Sequence, residues 1–235
     1  MRLLLISNST NLGERYLEHP GEAIRNFLGS EPRKALFLPY AAVTFSYEEY
    51  EKKVSDRFRE LGHDIISIHR FSDPVEAVRN AQAIVVGGGN TWQLLKQILS
   101  HNLTDVVREK VIEGIPYIGW SAGANVACPS IRTTNDMPVC DPGSMSAFNL
   151  IPFQINPHYI DANPAGHAGE TREQRIMEFI ELNPELWIIG LREGTMLRIE
   201  NGRIMLSGQA KARIFRKDHQ ILELGKDDDL SFLMT

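Results

Sequence analysis

Residues 116–125 read Pro116-Tyr117-Ile118-Gly119-Trp120-Ser121-Ala122-Gly123-Ala124-Asn125, an apolar run followed by small residues. An unbroken apolar run is typical of a strand covered on both faces, as in a parallel sheet, so residues 116–120 predict a buried strand. Gly119, Ser121 and Gly123 fit the G-x-S-x-G pattern, in which a nucleophile occupies a cramped turn between strand and helix. Such a turn exposes the hydroxyl and directs the next N–H at a reacting carbonyl oxygen. Because the pattern also occurs by chance, a helix-capping serine is the alternative.

The predicted sheet extends through further apolar runs at residues 2–7, 34–39, 64–68 and 83–86. The segments between these runs have helical patterns. In residues 46–61, Ser46 and Glu49 form a capping box, and the apolar residues recur at steps of three and four. Further helices are predicted at residues 73–81, from Asn90 onward, and at residues 104–113. This alternation predicts an α/β fold with a doubly wound, mostly parallel sheet flanked by helices.

The pattern changes after Pro184, where strand-like runs follow one another without helices between them. Asn201-Gly202 is a strong signal for a hairpin turn. We therefore expect an antiparallel C-terminal extension at one edge of the single α/β domain that residues 1–235 form. The runs in question are 187–191, 195–199, 203–207 and 212–216.

Composition excludes several classes of protein. The 235 residues are 43% hydrophobic and 23% charged, which is typical of a globular chain and not of a disordered, collagen-like or coiled-coil one. The 25 basic and 30 acidic residues give a net charge of −5, without the basic excess of a nucleic-acid-binding protein. The two cysteines form no CxxC pair and there is no HExxH motif, so we expect no metal and no cofactor. No apolar run is long enough for a membrane span, and we expect a cytoplasmic protein.

A second glycine-rich segment, Val86-Gly87-Gly88-Gly89-Asn90-Thr91, also follows a predicted strand. Ligands of open α/β sheets bind beyond the carboxyl ends of the strands. Three glycines let the backbone approach a ligand, and the following helix start offers free N–H groups to negative charge. The spacing fits neither the dinucleotide fingerprint nor the P-loop, and a tight turn without a ligand is the alternative.

A serine nucleophile needs a histidine base and an acid that orients it. His158 ends the apolar stretch that starts at Ile151, a position typical of a strand end that points into a cleft. His167, in a glycine-rich loop, is the weaker candidate, and a buried histidine satisfied by the backbone is the alternative for His158. Asp136 lies in a polar loop and Glu193 directly follows a predicted strand, so spacing leaves both open as the acid.

Six motifs together resemble the peptidase E family of α-aspartyl dipeptidases, and the resemblance runs nearly from end to end. These motifs are Leu5-Ile6-Ser7-Asn8-Ser9-Thr10, Gly87-Gly88-Gly89-Asn90-Thr91, Gly119-Trp120-Ser121-Ala122-Gly123-Ala124-Asn125, Ile131-Arg132-Thr133-Thr134-Asn135-Asp136-Met137-Pro138, Gln154-Ile155-Asn156-Pro157-His158 and Gly169-Glu170-Thr171-Arg172-Glu173-Gln174-Arg175. The resemblance implies a fold similar to that of the class I glutamine amidotransferases and hydrolysis of dipeptides with N-terminal aspartate (Asp-Xaa).

The resemblance also implies catalytic roles. Ser121 matches the nucleophile and His158 the base. Two residues match the third member: Glu193 is favoured for the direct contact with His158, and Asp136 is kept as an active-site residue. No metal is needed for acyl transfer to serine followed by hydrolysis.

Binding roles follow in the same way. The backbone N–H groups of Gly89 and Ala122 are expected to form an oxyanion hole where the two glycine-rich turns meet. Arg172 matches the position that grips the β-carboxylate of the substrate, and Asn90 is expected to contact substrate as well. The expected partner is a small peptide, with neither nucleic acid nor membrane, and the expected state is a monomer or homodimer.

Two other functions remain open at this stage. One is a related serine hydrolase of different specificity, such as a cyanophycinase-like peptidase or an esterase. The other is a non-catalytic module that holds an anion at residues 87–91.

Overall fold

The computed structural model describes residues 1–163, Gly166 and residues 168–234. Its strands are β1 (Arg2–Ile6), β2 (Lys34–Leu38), β3 (Asp64–Ser67), β4 (Ile84–Val86), β5 (Pro116–Trp120), β6 (Gln154–Tyr159), β7 (Ile188–Arg192), β8 (Met196–Glu200), β9 (Arg203–Ser207), β10 (Ala212–Phe215) and β11 (Leu222–Leu224). Its α-helices are α1 (Gly21–Leu28), α2 (Tyr47–Glu60), α3 (Pro74–Arg79), α4 (Thr91–Ser100), α5 (Leu103–Ile112), α6 (Ala122–Asn125) and α7 (Arg172–Leu182). Short 3₁₀ helices cover Ile68–Arg70 and Ser231–Met234.

The larger sheet has the order β3-β2-β4-β5-β1-β8-β9. The strands from β3 to β1 are parallel, while β8 runs antiparallel to β1 and β9 antiparallel to β8. The predicted α/β fold, with a mostly parallel sheet and an antiparallel extension at one edge, is therefore confirmed. The hairpin between β8 and β9 turns at Asn201-Gly202, as predicted, and both residues have positive φ angles.

Helices cover both faces of this sheet because alternate strand residues point to opposite faces. On β1, Leu4 packs in a cluster with Phe27 of α1 and Phe58 of α2, whereas Leu3 and Leu5 pack with residues of α3, α4, α5 and α6.

Helix α2 begins at its predicted capping box: Glu49 N donates to Ser46 Oγ at 3.1 Å and Ser46 N to Glu49 Oε2 at 2.9 Å. Helix α1 is not predicted from the sequence, because its apolar pattern covers only about two turns.

The remaining strands form a second sheet in the order β11-β10-β7-β6, in which β6 and β7 are parallel. Two of the late strand-like runs, 187–191 and 212–216, form β7 and β10 of this second sheet, whereas the other two form β8 and β9 of the first. The reason is the turn at residues 193–195, which carries the chain from β7 in one sheet to β8 in the other. Apolar alternation satisfies a strand in either sheet, so the sequence pattern does not show this crossing. Among the described residues, no helix is long and apolar enough to cross a membrane.

Helix α6 lies unusually close to the strands beside it because two glycines face their backbone. A Cβ atom on Gly123 would lie 2.2 Å from the carbonyl oxygen of Val86, and one on Gly119 would lie 2.2 Å from that of Gly123. Both distances are far below van der Waals contact, and the clashing atoms belong to backbone that is fixed in the sheet. The close packing of β5 and α6 therefore depends on these two glycines.

Gly123→Ala should lower the free energy of unfolding by about 3 kcal/mol or more, since overpacking against fixed backbone cannot relax. Gly225→Ala is the matched control: there the nearest atoms to the new Cβ are side-chain atoms at 3.7 Å. We expect this control to stay within about 0.5 kcal/mol of the wild type. Urea unfolding measures both, and equal stability of Gly123→Ala and wild type would contradict this account of the packing.

Candidate active site

Ser121 stands on a strained turn between β5 and α6. Its φ of +53° lies in the left-handed region, which a non-glycine residue adopts at a cost of about 1–3 kcal/mol. The turn is held from both sides: Ser121 N donates to Ile6 O at 2.9 Å, and Ser121 O accepts from Ala124 N and Asn125 N at 3.0 Å. The strand-turn-helix context that the G-x-S-x-G pattern requires is therefore present, and the side chain projects from the carboxyl end of the sheet.

His158 reaches Ser121 from the second sheet through a break in strand pairing. Pro157 pairs with Leu191 and Tyr159 with Arg192, so His158 is left without a partner in the register. Such a bulge bends a strand and redirects a side chain. The φ of His158 is +52°, also in the left-handed region. This local distortion aims the imidazole away from its own sheet.

Three side chains form a continuous hydrogen-bonded line. Ser121 Oγ lies 2.9 Å from His158 Nε2, and Glu193 Oε1 lies 2.6 Å from His158 Nδ1. When Nδ1 carries the proton and donates to Glu193, Nε2 is free to accept from the serine hydroxyl. The side chains of His158 and Glu193 are 39% and 54% exposed, so solvent reaches this end of the line.

Asp136, the other acid that spacing left open, lies elsewhere. Its Oδ2 accepts from Thr91 N at 2.7 Å and from Thr91 Oγ1 at 2.5 Å. The carboxylate thereby occupies the N-terminus of α4, where the helix dipole favours negative charge. The structure therefore places Glu193, and not Asp136, against His158.

The turn at residues 87–89 packs directly against the serine. A Cβ on Gly88 would lie 3.0 Å from Ser121 Cβ, and Gly89 has a φ of +132°. Tyr50 Oη donates to Gly88 O at 2.9 Å and so fixes the turn from behind. Among the backbone hydrogen bonds of the described residues, none uses the N–H of Gly89 or of Ala122 as a donor. These two groups are consequently free to bind a developing negative charge.

Arg172 begins α7 and lines a small cavity of about 200 Å³ together with Asn135, Asp136 and Asn156. One guanidinium nitrogen donates to Asn135 Oδ1, and Asn135 Nδ2 donates to Pro157 O at 2.6 Å. Burial lowers the pKa of Arg172 below its ordinary value, with Arg175 adding to that effect and Asp136 opposing it. A half-buried cation held by a neutral amide is suited to an incoming carboxylate.

Two further residues were predicted at the site: Asn90 as a substrate contact and His167 as the weaker candidate for the base. Asn90 caps α4: its Oδ1 accepts from Gln93 N at 3.1 Å and its Nδ2 donates to Met137 O at 2.9 Å. Both ends of that amide are engaged within the protein, and contact with substrate stays a prediction. His167 lies outside the described residues.

Sequence analysis missed two polar residues at the end of β1 that hold the second sheet in place. Buried Ser7 accepts from His158 N at 3.0 Å and donates to Leu191 O at 2.7 Å. Buried Asn8 accepts from Gly194 N at 2.8 Å, one residue after Glu193. The available signal was their place in the chain, directly after a central parallel strand, where the carboxyl ends of the strands meet. Within the described residues, no group of three or more acidic, His or Cys side chains is placed to hold a metal ion.

Comparison with known proteins gives the class and then the family. The profile of peptidase family S51 matches residues 3–207. Peptidase E of Nostoc sp. is 49% identical over 233 residues, covering 99% of this chain and 96% of that protein. Peptidase E of Salmonella paratyphi A is 47% identical over 224 residues, covering 95% and 97%. The protein is therefore a peptidase, a hydrolase.

Solved structures show the same fold. A peptidase from an acI-B1 actinobacterium superposes with a TM-score of 0.67 at 20% identity, covering 97% of this chain and 96% of the other. A putative peptidase E protein from Listeria monocytogenes EGD-e gives 0.63 at 20% identity, covering 89% and 98%. With the profile and the two closer relatives, the chain belongs to peptidase family S51, the peptidase E family, and the resemblance seen in the sequence is confirmed.

Proposed function

We propose that this peptidase uses Ser121 as its nucleophile and hydrolyses dipeptides with N-terminal aspartate. The observation that carries the proposal is the line from Ser121 through His158 to Glu193, with separations of 2.9 and 2.6 Å. A serine hydroxyl is a weak nucleophile until an adjacent base accepts its proton, and the base must in turn be oriented by a third group. The nucleophile, the base and the orienting group are all present in this arrangement.

In the acylation step, Ser121 Oγ attacks the carbonyl carbon of the aspartyl residue while its proton passes to His158 Nε2. The carbonyl oxygen becomes an oxyanion between the N–H groups of Gly89 and Ala122. Collapse breaks the peptide bond, and Nε2 returns the proton to the leaving nitrogen, which departs as an amine. Aspartate remains as an ester of Ser121.

Deacylation repeats the same proton movements with water as the nucleophile. His158 Nε2 takes a proton from water as the water oxygen attacks the ester, and returns it to Ser121 Oγ as the ester bond breaks. Glu193 stabilises the imidazolium that forms in both steps. The free enzyme is restored with aspartate as the second product.

Selectivity for aspartate is assigned to Arg172. A guanidinium binds a carboxylate at two points, which a lysine cannot do with the same geometry. Arg172 is half-buried, its described hydrogen bond is to the neutral Asn135, and the two share a cavity with the loop at residues 132–136. The competing proposals, an esterase or a cyanophycinase-like peptidase, predict no loss of their preferred activity when this cation is removed.

The nucleophile is tested with Ser121→Ala, which should lower kcat for Asp-Leu by about 10⁴-fold or more, as expected for loss of a nucleophile. A fluorophosphonate probe should label the wild type and not the variant. Ser100→Ala, an exposed serine of α4, is the control and should be labelled and active like the wild type. Labelling of Ser121→Ala would place the nucleophile elsewhere.

The acid is tested by comparing Glu193→Gln with Asp136→Asn, two changes that remove one charge each at nearly constant volume. Glu193→Gln should lower kcat by about 10²–10⁴-fold because the imidazole loses the group that fixes its tautomer and stabilises its charge. Asp136→Asn keeps an oxygen for Thr91 and should change kcat by less than about tenfold. A larger loss in Asp136→Asn would reverse the assignment.

The specificity residue is tested with Arg172→Ala, which should lower kcat/KM for Asp-Leu by about 10²–10⁴-fold through loss of charge-assisted hydrogen bonds. Arg175→Ala, one turn further along α7 and beside Glu170, should have a much smaller effect. Turnover of Asp-Leu, Leu-Leu and a nitrophenyl ester is measured for each variant. If Arg172→Ala cleaved Asp-Leu as well as the wild type, the aspartate pocket would be wrongly placed.

A further inference from the structure

A second, larger cavity of about 550 Å³ opens beside Ser121 and His158. It lies on the α2 side of the active site, away from the small cavity of Arg172. The two cavities share none of their lining residues. The larger cavity is lined by Ser9, Tyr16, Phe45, Glu49, Tyr50, Lys53, Gly88, Gly89, Trp120, Ser121 and His158.

The proton path of the proposed reaction determines which part of the substrate this cavity faces. His158 Nε2 has to deliver its proton to the leaving nitrogen, so the residue that carries this nitrogen lies on the histidine side of Ser121. His158 lines the large cavity, whereas Arg172 lines the small one. With the aspartyl side chain on Arg172, the leaving residue enters the large cavity.

Aromatic rings form the wall of this cavity. Tyr16 packs edge-on against Trp120 with 6.3 Å between ring centroids, and Phe45 packs edge-on against Tyr50 at 5.1 Å. Trp120 Nε1 donates to Tyr50 Oη at 3.3 Å, and burial raises the pKa of Tyr50 to about 12, so this phenol stays neutral. The wall is thus apolar and fixed, which suits a large apolar side chain.

Two charged residues of α2 also line the cavity, and they differ in their partners: Glu49 is hydrogen-bonded, whereas Lys53 lies over an aromatic ring. Glu49 accepts from Ser46 N and Ser46 Oγ in the capping box, at 2.9 and 3.2 Å. Lys53 Nζ lies 4.1 Å from the centroid of the Tyr16 ring. Its neighbour Lys52 pairs with Asp56 at 2.6 Å, whereas none of the ion pairs found among the described residues includes Lys53.

From this arrangement, the geometry points to Lys53 as the cation that binds the free α-carboxylate of the leaving residue, whose side chain packs on the aromatic wall of the same cavity. A longer peptide or an amide has no carboxylate at that position. Lys53 would therefore select dipeptides over longer chains. The inference rests on the proposed function, because it takes the scissile bond to be at Ser121.

The test compares Asp-Leu with Asp-Leu amide, two substrates that differ only in the terminal charge. The measured quantity is the ratio of their kcat/KM values. Lys53→Met keeps most of the side-chain length without the charge, and should lower the ratio about tenfold, the usual loss for one charge-assisted hydrogen bond. We expect the loss in KM for Asp-Leu and not in kcat, because Lys53 does not touch the reacting atoms.

Two variants control for charge and folding. Lys52→Met removes the neighbouring charge of the same helix and should leave the ratio as in the wild type. Lys53→Arg retains a cation and should preserve most of the ratio. An equal ratio in Lys53→Met and wild type, or a wild-type ratio near one, would overturn the inference while the peptidase assignment stands. Failure of the wild type to cleave either substrate would instead overturn the proposed function.

Discussion

The 2.9 Å contact between Ser121 and His158 joins two different sheets, and the rest of the site depends on how those sheets are held together. Ser121 follows β5 of the seven-stranded sheet, whereas His158 belongs to β6 of the four-stranded one. A relative shift of 1 Å would break the hydrogen bond. The register between the sheets is therefore a functional constraint as much as a structural one.

Strand β1 meets this constraint with the two polar residues that follow it. Ser7 binds the backbone of His158 and of Leu191 through one hydroxyl, so a single side chain fixes the neighbouring strands β6 and β7 of the second sheet. Asn8 binds Gly194 N and so holds the turn that carries Glu193. A buried hydroxyl that both donates and accepts is fully satisfied, and such groups restrict a structure to one arrangement. The base and its acid are thus both anchored to the strand beside the nucleophile.

Both residues that make the contact have a strained backbone. Ser121 and His158 have φ angles of +53° and +52°, which are costly for residues with a side chain. The backbone N–H of each donates a hydrogen bond at the end of β1: Ser121 N to Ile6 O, and His158 N to the hydroxyl of Ser7. The surrounding structure compensates for the strain, and both side chains project from their strands toward the cleft between the sheets.

The parts of this architecture that were predictable from sequence are those encoded locally. The turn at Ser121 was predictable because its glycines and the preceding apolar run are contiguous in the chain, and the five parallel strands because each has its own apolar run. The second sheet was not predictable, since apolar alternation does not specify which sheet a strand joins. For the same reason, sequence spacing left both Glu193 and Asp136 open as the acid that orients His158. Which of the two carboxylates reaches His158 depends on the point near residue 193 where the chain crosses from one sheet to the other. The place of Ser7 directly after a central strand indicates that it lies near the site, but its contacts with His158 and Leu191 exist only in three dimensions.

Charge placement links the site to the kind of substrate that it would attract. A dipeptide with N-terminal aspartate carries two carboxylates and one amine, and so has a net negative charge near neutral pH. The chain itself has a net charge of −5, which repels such a molecule at long range. Local cations must therefore outweigh the overall field, and Arg172 and Lys53, the two cations proposed to bind the substrate, line separate cavities. Neither is paired with a carboxylate in the described structure, whereas several other cations of α2, such as Lys52 and Arg57, are. In the proposed binding mode, two cations in separate cavities also favour one length of substrate, because a dipeptide with N-terminal aspartate offers a carboxylate to each, whereas a longer chain has none for Lys53.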